Sequence, residues 1–150
     1  MPNENQSNYT ATHQDVEKWI AAWNTHDLDQ IAALFADDAV MFQPQNPQPL
    51  NKEKMLGYFG MLFKSYADIN FKSNGATIEN NEVASWETVT GTMTGEFHDP
   101  SSGKTIAPTN KKFSVEGAMH IVYNEQGLIK SVRIYWDRMD MYGQIGLLNQ

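Results

Sequence analysis

The stretch AWNTHDLDQIAALFADDAV, residues 22–40, decides the fold. Just upstream and into it, Val16, Trp19, Ile20 and Trp23 fall at i, i+3, i+4 and i+7, the spacing of one helix face. That helix starts near His13, with Thr12 or Asp15 as its cap, and stops in the Asn24–Asp27 corner. Asp27 then caps a second, short helix whose apolar face is Leu28, Ile31, Ala32, Leu34 and Phe35. Asp37-Asp38 reads as a turn, and Ala39-Val40-Met41-Phe42 as a short apolar strand. Helix, tight corner, helix, turn, strand is the unit from which the rest of the chain is placed.

Downstream, QPQNPQPLN carries three prolines in six residues, so the segment is a loop, since proline lacks the N–H that regular structure needs. A third helix follows over about Lys52–Tyr66, with Met55, Phe59, Leu62, Phe63 and Tyr66 on one side; Gly57 and Gly60 weaken it or admit close packing. After Asp68 the period drops to two. Strands are predicted over Ile69–Ile78, Glu82–His98, Lys104–Tyr123 and Leu128–Asp137, separated by Ser-Asn-Gly, Asp-Pro-Ser-Ser-Gly and Asn-Glu-Gln-Gly turn signals. The last residues, from Arg138, form a short closing helix. Three helices followed by an antiparallel meander mean α+β. A long sheet curved over helices makes a cone, and the inside of the cone is where a ligand sits. The prediction is one domain over residues 1–150, with residues 1–10 as a flexible polar arm.

Composition narrows the function. The chain has 150 residues and no cysteine, which excludes disulfide frameworks, thiolate zinc sites and a thiol nucleophile. Eleven Lys and Arg against eighteen Asp and Glu leave a net charge of −7, and no segment carries the basic stripe that binds nucleic acid. No apolar run approaches the ~20 residues of a membrane span. The N-terminal residues lack the basic and apolar regions of a signal peptide, so the expected location is the cytoplasm. Phosphate-binding glycine loops and the Gly-x-Ser-x-Gly nucleophile motif are missing. The four histidines are not at metal-ligand spacing, so no metal is expected, and with those glycine loops missing no nucleotide or other organic cofactor is expected.

Residues 22–40 resemble the opening of the nuclear transport factor two-like superfamily, which includes ketosteroid isomerase and the SnoaL-like polyketide cyclases. DRMDMYGQIG, residues 137–146, resembles the C-terminal signature of SnoaL-like cyclases, and GTMTGEFHDPSSGKTIAPT, residues 91–109, resembles their middle segment. The resemblance implies a cone-shaped nuclear transport factor two-like fold, with three N-terminal helices packed on a curved antiparallel sheet around a pocket. It also implies a homodimer through the open sheet face, and a hydrophobic carbonyl compound as ligand. At the three chemical positions of ketosteroid isomerase this chain has Gln43, Trp19 and Ala118, so steroid isomerisation by that route is disfavoured. Where SnoaL-like chains often have Glu six residues before the Asp, this one has Ser131.

By that resemblance Asp137 is the candidate acid/base of an intramolecular aldol condensation, a reaction in which one carboxyl removes a carbon-bound proton and later protonates an oxygen. The alternative is an aspartate that simply caps the closing helix. Arg133, Tyr135 and Asp137 alternate onto one strand face, so Arg133 and Tyr135 are candidate substrate contacts; a carboxylate beside Arg133 also resembles limonene-epoxide-hydrolase-type sites, which need a second acid. His120, mid-strand, is a candidate proton shuttle or else a core or interface histidine. Trp19, Trp23, Phe59 and Phe63 sit at core spacing, and in a cone the inner helix face is also the pocket wall. Gln43 stands at the usual catalytic height of the superfamily and is expected to hydrogen-bond a substrate carbonyl without titrating. The other readings are a non-catalytic binder of small molecules and a dimerisation module of the same fold.

Overall fold

The computed structural model describes residues 8–44, 46–99 and 102–148. Helix α1 (His13–Thr25) ends at His26, which adopts a left-handed φ of 58°, and Asp27 caps α2 (Leu28–Ala32) by accepting the Asp29 and Gln30 N–H groups. The corner is pinned from outside as well. The Asn24 side chain both donates to the Phe71 carbonyl and accepts the Phe71 N–H, at 2.9 and 2.8 Å. His26 Nε2 lies 2.6 Å from the Ile69 carbonyl, and its ring stacks on Phe63 at 4.8 Å. The Asn-Thr-His-Asp sequence is thus a helix stop, a helix start and a clamp onto the sheet at once.

Strand β1 (Phe35–Phe42) is longer than the periodicity predicts. Asp37 and Asp38 do not break it; they sit exposed on an irregularity in register between Phe35 and Val40. After the proline-rich loop, a two-residue β2 (Leu50–Asn51) pairs back onto β1 and leads into α3 (Lys52–Ser65), whose cap is Asn51, accepting the Lys54 N–H at 2.9 Å. Gly60 lets Leu28 approach α3 closely, while the space around Gly57 is open.

The second half holds β3 (Asn70–Glu79), β4 (Glu82–Thr92), β5 (Phe97–His98), β6 (Thr105–Ile106), β7 (Lys112–Tyr123) and β8 (Ile129–Trp136), then α4 (Arg138–Ile145). The main sheet runs β2-β1-β8-β7-β4-β3. The meander β3-β4-β7-β8 is antiparallel as expected, whereas β1 lies parallel to β8, so the sheet is mixed. Two long strands are shorter than predicted. Residues 93–96 turn away because the Thr94 and Gly95 N–H groups bond to the Ser65 carbonyl at the end of α3. The β5–β6 hairpin between them is a separate two-stranded sheet. The expected arm falls mostly on residues 1–7, outside the described residues; Tyr9 donates its hydroxyl to Asp15 and packs on Tyr123.

Two apolar clusters fill the space between helices and sheet. One gathers Trp19, Trp23, Ile31, Met41, Phe59 and neighbours; the other gathers Tyr66, Ile69, Met93, Phe113, Met141 and Ile145. The helices therefore pack on a curved sheet in the α+β arrangement of the nuclear transport factor two-like fold. No helix among the described residues is long and apolar enough to cross a membrane.

Candidate active site

A cavity lies where the two clusters meet. Its walls take Trp23 from α1, Tyr58, Phe59 and Tyr66 from α3 and the residue after it, Phe113 from β7, and Met141 from α4. Free space is about 70 Å³. At ~30 Å³ per water in the liquid that is room for a few small atoms, well under the ~300 Å³ of an ordinary ligand pocket. A ligand of usual size fits only when the side-chain wall gives, and Met119 and Met141, unbranched and adaptable, are part of that wall.

One acid lines this apolar space among the described residues. Val83, Ser85, Glu87, Val89 and Gly91 form the inner phase of β4, and Glu87 is fully buried, at 0% exposure. The Ser85 hydroxyl donates to Glu87 Oε1 at 2.5 Å, and Oε2 has no hydrogen-bond partner among the described residues. Burial disfavours the charged form and pushes the carboxyl up from 4.5 to about 7, while the Ser85 hydrogen bond opposes this in part. Among the described residues no lysine, arginine or histidine lines the cavity to hold it ionised.

Among the described residues, Trp23 Nε1 has no hydrogen-bond partner, and Gln43 Nε2 has none in good geometry although the Gln43 side chain lies beside the Tyr58 hydroxyl. Gln43 follows β1 and is 6% exposed; Trp23 is 3% exposed, wedged edge-on against Phe59 at 4.2 Å. The Tyr58 hydroxyl is pushed up to about 12 by burial, and the nearby Gln43 side chain pulls it partly back. Tyr66 is raised further by the same cause. Both stay neutral hydroxyls at any physiological pH.

Of the residues singled out from sequence, Trp23, Gln43, Phe59 and Tyr135 border the cavity, although Tyr135 is 48% exposed and its strand turns Ile134 and Trp136 inward instead. Trp19 is core beneath that wall, edge-on to Phe35 at 5.8 Å, and Phe63 packs between Trp23 and His26. Arg133 lies on the outer sheet face, over the Phe42 ring at 4.1 Å. His120 is on that outer face too, 3.2 Å from Glu82. Asp137 is exposed, and its carboxylate accepts the Asp140 N–H at 2.9 Å as the cap of α4. Asp137→Ala should therefore cost about 1 kcal/mol of stability and leave any turnover within a factor of three, which thermal melts and rates on one preparation would check.

Glu87 was missed in the sequence reading because β4 offers two phases. Ala84-Trp86 and Val83-Ser85-Glu87-Val89 alternate, and the large indole argues for turning Trp86 inward. The structure does the opposite. Trp86 is 46% exposed and lies over Gly75, where a Cβ would come within 2.5 Å of the indole. The available signal was an acid in register with two valines.

The comparisons agree with this architecture. The SnoaL-like domain profile matches residues 16–132. AclR, a proposed hydroxylase from Streptomyces galilaeus, superposes with a TM-score of 0.78 at 22% identity, over 92% of this chain and 82% of that one. IdmH, a proposed polyketide cyclase from Streptomyces antibioticus, gives 0.76 at 22% identity, over 89% and 97%. A proposed SnoaL-like polyketide cyclase from Jannaschia sp. CCS1 gives 0.75 at 16% identity, over 95% and 97%. At these identities the likeness is one of fold. No functionally curated protein matches the chain. With its profile match over most of its length, the chain belongs to the SnoaL-like domain family.

Proposed function

We propose that the protein is a cyclase- or isomerase-type enzyme acting by acid/base chemistry on a small hydrophobic carbonyl compound, with Glu87 as the proton-transferring group. The observation that carries this is a fully buried carboxyl with one free oxygen on an apolar cavity, poised near neutrality. An acid whose pKa matches the working pH is half available as base and half as acid. The Glu87 carboxylate takes a proton from the carbon next to the carbonyl; the resulting acid returns it to carbon in an isomerisation, or to the new alkoxide in an aldol ring closure. The substrate delocalises its own enolate, so the reading calls on no cofactor. Ser85 fixes Oε1 and leaves Oε2 for the substrate.

Two relatives' descriptions, the proposed cyclases from Streptomyces antibioticus and Jannaschia, support a ring-closing reaction. The small free volume favours a second reading, a module whose cone is filled by its own side chains. Against it stands the cost of an unpartnered buried carboxyl oxygen, about 1–3 kcal/mol, which a purely structural core gains nothing by carrying. Incubation with a panel of neutral ketones and enones in D2O separates the two. Enzyme-dependent exchange of the α-hydrogens is expected, along with a Glu87 carboxyl midpoint near 7 by carbon NMR. No exchange with any member and a midpoint at 4.5 or below would leave the module reading.

We further propose a cytoplasmic homodimer joined through the outer sheet face. Trp86, Ala118 and Tyr135 are register neighbours across β4, β7 and β8, and all three are exposed. Light scattering is expected to give twice the chain mass, and Trp86→Glu to halve it.

A further inference from the structure

The segment from Asp137 to Gly146 builds α4 and fastens it. Asp137 caps the helix by accepting the Asp140 N–H at 2.9 Å. One turn on, the Asp140 carboxylate accepts the Gln144 side-chain NH2 at 3.0 Å and so aims that amide. Gln144 Oε1 accepts the Ser114 N–H at 2.7 Å, and Nε2 donates to the Ser114 carbonyl at 3.0 Å. Gly146 stops the helix with a left-handed φ of 82°. Strand β8 pairs with β7 no further than Trp136 opposite Gly117, so Ser114 has no strand beside it there, and the amide stands in for one. Among the described residues, Gln144 carries the hydrogen bonds that tie α4 to the sheet.

The same helix closes the cavity. Met141, 2% exposed, is its residue on the wall, and Ile145 packs in the apolar cluster behind it. The free space of about 70 Å³ is far below the ~300 Å³ of an ordinary ligand pocket, so part of the wall moves before a ligand of that size enters. Most of the wall is held fast. Its strands are joined by ladders, Trp19 and Trp23 wedge α1 into the core, and the Thr94 and Gly95 N–H groups hold the end of α3. Helix α4 has eight residues and no ladder. It can leave with every strand still paired.

We propose that α4 is the gate of the cavity and Gln144 its latch. The helix swings about Asp137 and carries Met141 out of the wall, and the Gln144 bonds to Ser114 hold it shut over a bound ligand. This rests on the cavity being the ligand site, and not on the Glu87 chemistry. Ligand enters through the open fraction, so the uptake rate scales with that fraction. A neutral hydrogen bond is worth about twofold to tenfold in such an equilibrium, and the latch has two. Losing it raises the open fraction about tenfold.

Azulene tests it, an uncharged hydrocarbon larger than the free space that quenches tryptophan fluorescence. A Trp86→Phe background removes the exposed indole, so that quenching reports the buried ones. In stopped flow, Gln144→Ala is expected to speed azulene uptake about tenfold. Hydrogen exchange at the Met141 and Ile145 amides should quicken by a similar factor, while exchange in β4 stays unchanged, which separates an opened gate from a weakened fold. The chain has no cysteine, so Ser114→Cys with Gln144→Cys can be joined selectively by a short bis-methanethiosulfonate linker. The linked protein should take up azulene at least about tenfold more slowly than the unlinked one, and reductant should restore the rate. Unchanged α4 exchange or unchanged uptake in Gln144→Ala, equal uptake with and without the linker, or no uptake by any form would each overturn the gate. Gated uptake without α-hydrogen exchange of ketones would sustain the gate and sink the acid/base chemistry. Ketone exchange equally fast in linked and unlinked protein would do the reverse.

Discussion

Glu87→Gln is expected to lower turnover at least about 100-fold, and above pH 7 to raise the melting temperature at the same time. The first effect follows from the role: a positioned general acid or base is worth roughly 10²–10⁴ in rate, and the amide can neither take nor give the proton. The second follows from burial. The unfolded chain holds this carboxyl near 4.5 and the folded chain near 7. Below pH 4.5 both states are protonated and nothing is lost. Between 4.5 and 7 the folded state binds more protons than the unfolded one, so stability falls as pH rises. Above about 7 both are ionised and the whole penalty is in place, on the order of 3 kcal/mol at ~1.4 kcal/mol per decade of acidity. Glutamine keeps the shape and can still accept the Ser85 hydroxyl, but carries no such penalty. Melts of the two proteins should coincide at pH 4 and separate by up to about 10 °C at pH 8, at the ~2–4 °C per kcal/mol usual for this size. On the proposed role, kcat/KM of the parent protein should rise with pH and level off above about 7, as the carboxylate forms. Parallel melting curves at every pH, with turnover intact, would remove Glu87 from the site altogether.

Gly95→Ala should be among the most damaging single methyl groups that can be added to this chain, costing about 3 kcal/mol or more. The backbone at Gly95 is pressed onto the end of α3. A Cβ there would stand 2.0 Å from the Lys64 carbonyl oxygen, an atom of a helix backbone with little freedom to retreat. The same contact carries the Thr94 and Gly95 N–H bonds to the Ser65 carbonyl and the Ser65 hydroxyl's bond to the Glu96 carbonyl at 2.7 Å. Pushing the segment away would break these together. A drop of about 10 °C in melting temperature is expected. Gly57→Ala is the control of opposite sign. It lies in the interior of α3 with nothing near its would-be Cβ, so it should stabilise by about 0.5–1 kcal/mol through helix propensity alone. Equal effects at the two glycines would mean that the close approach at Gly95 is not formed in solution.

The helical opening was legible because its signals are local. Apolar spacing from Val16 to Trp23, the Asp27 cap and the proline-rich loop each depend on a few neighbouring residues, and all three stand in the structure where the spacing puts them. The antiparallel meander was legible from its period and turn residues. What failed were features set by distant partners. Met93–Glu96 leave their predicted strand because α3 captures them, and Asp37-Asp38 do not end β1 because Phe35 before them and Val40 after them both pair with β8.

The same division runs through the site. Sequence alone determined that the chain folds as helices on a curved sheet, and that Trp23, Phe59 and Gln43 come near its centre. Only the tertiary structure decided which acid faces that centre. A strand shows two faces in sequence, and a one-residue choice of phase exchanges them. At Asp137 the Asp140 N–H at the start of α4 claims the carboxylate, which stays at the surface. At Glu87 the phase of β4, set by Trp86 lying over Gly75 and by pairing with β3 and β7, turns the carboxyl inward. Its raised pKa belongs to the apolar walls that meet around it, and those walls are assembled from elements far apart in the chain, from α1 to α4.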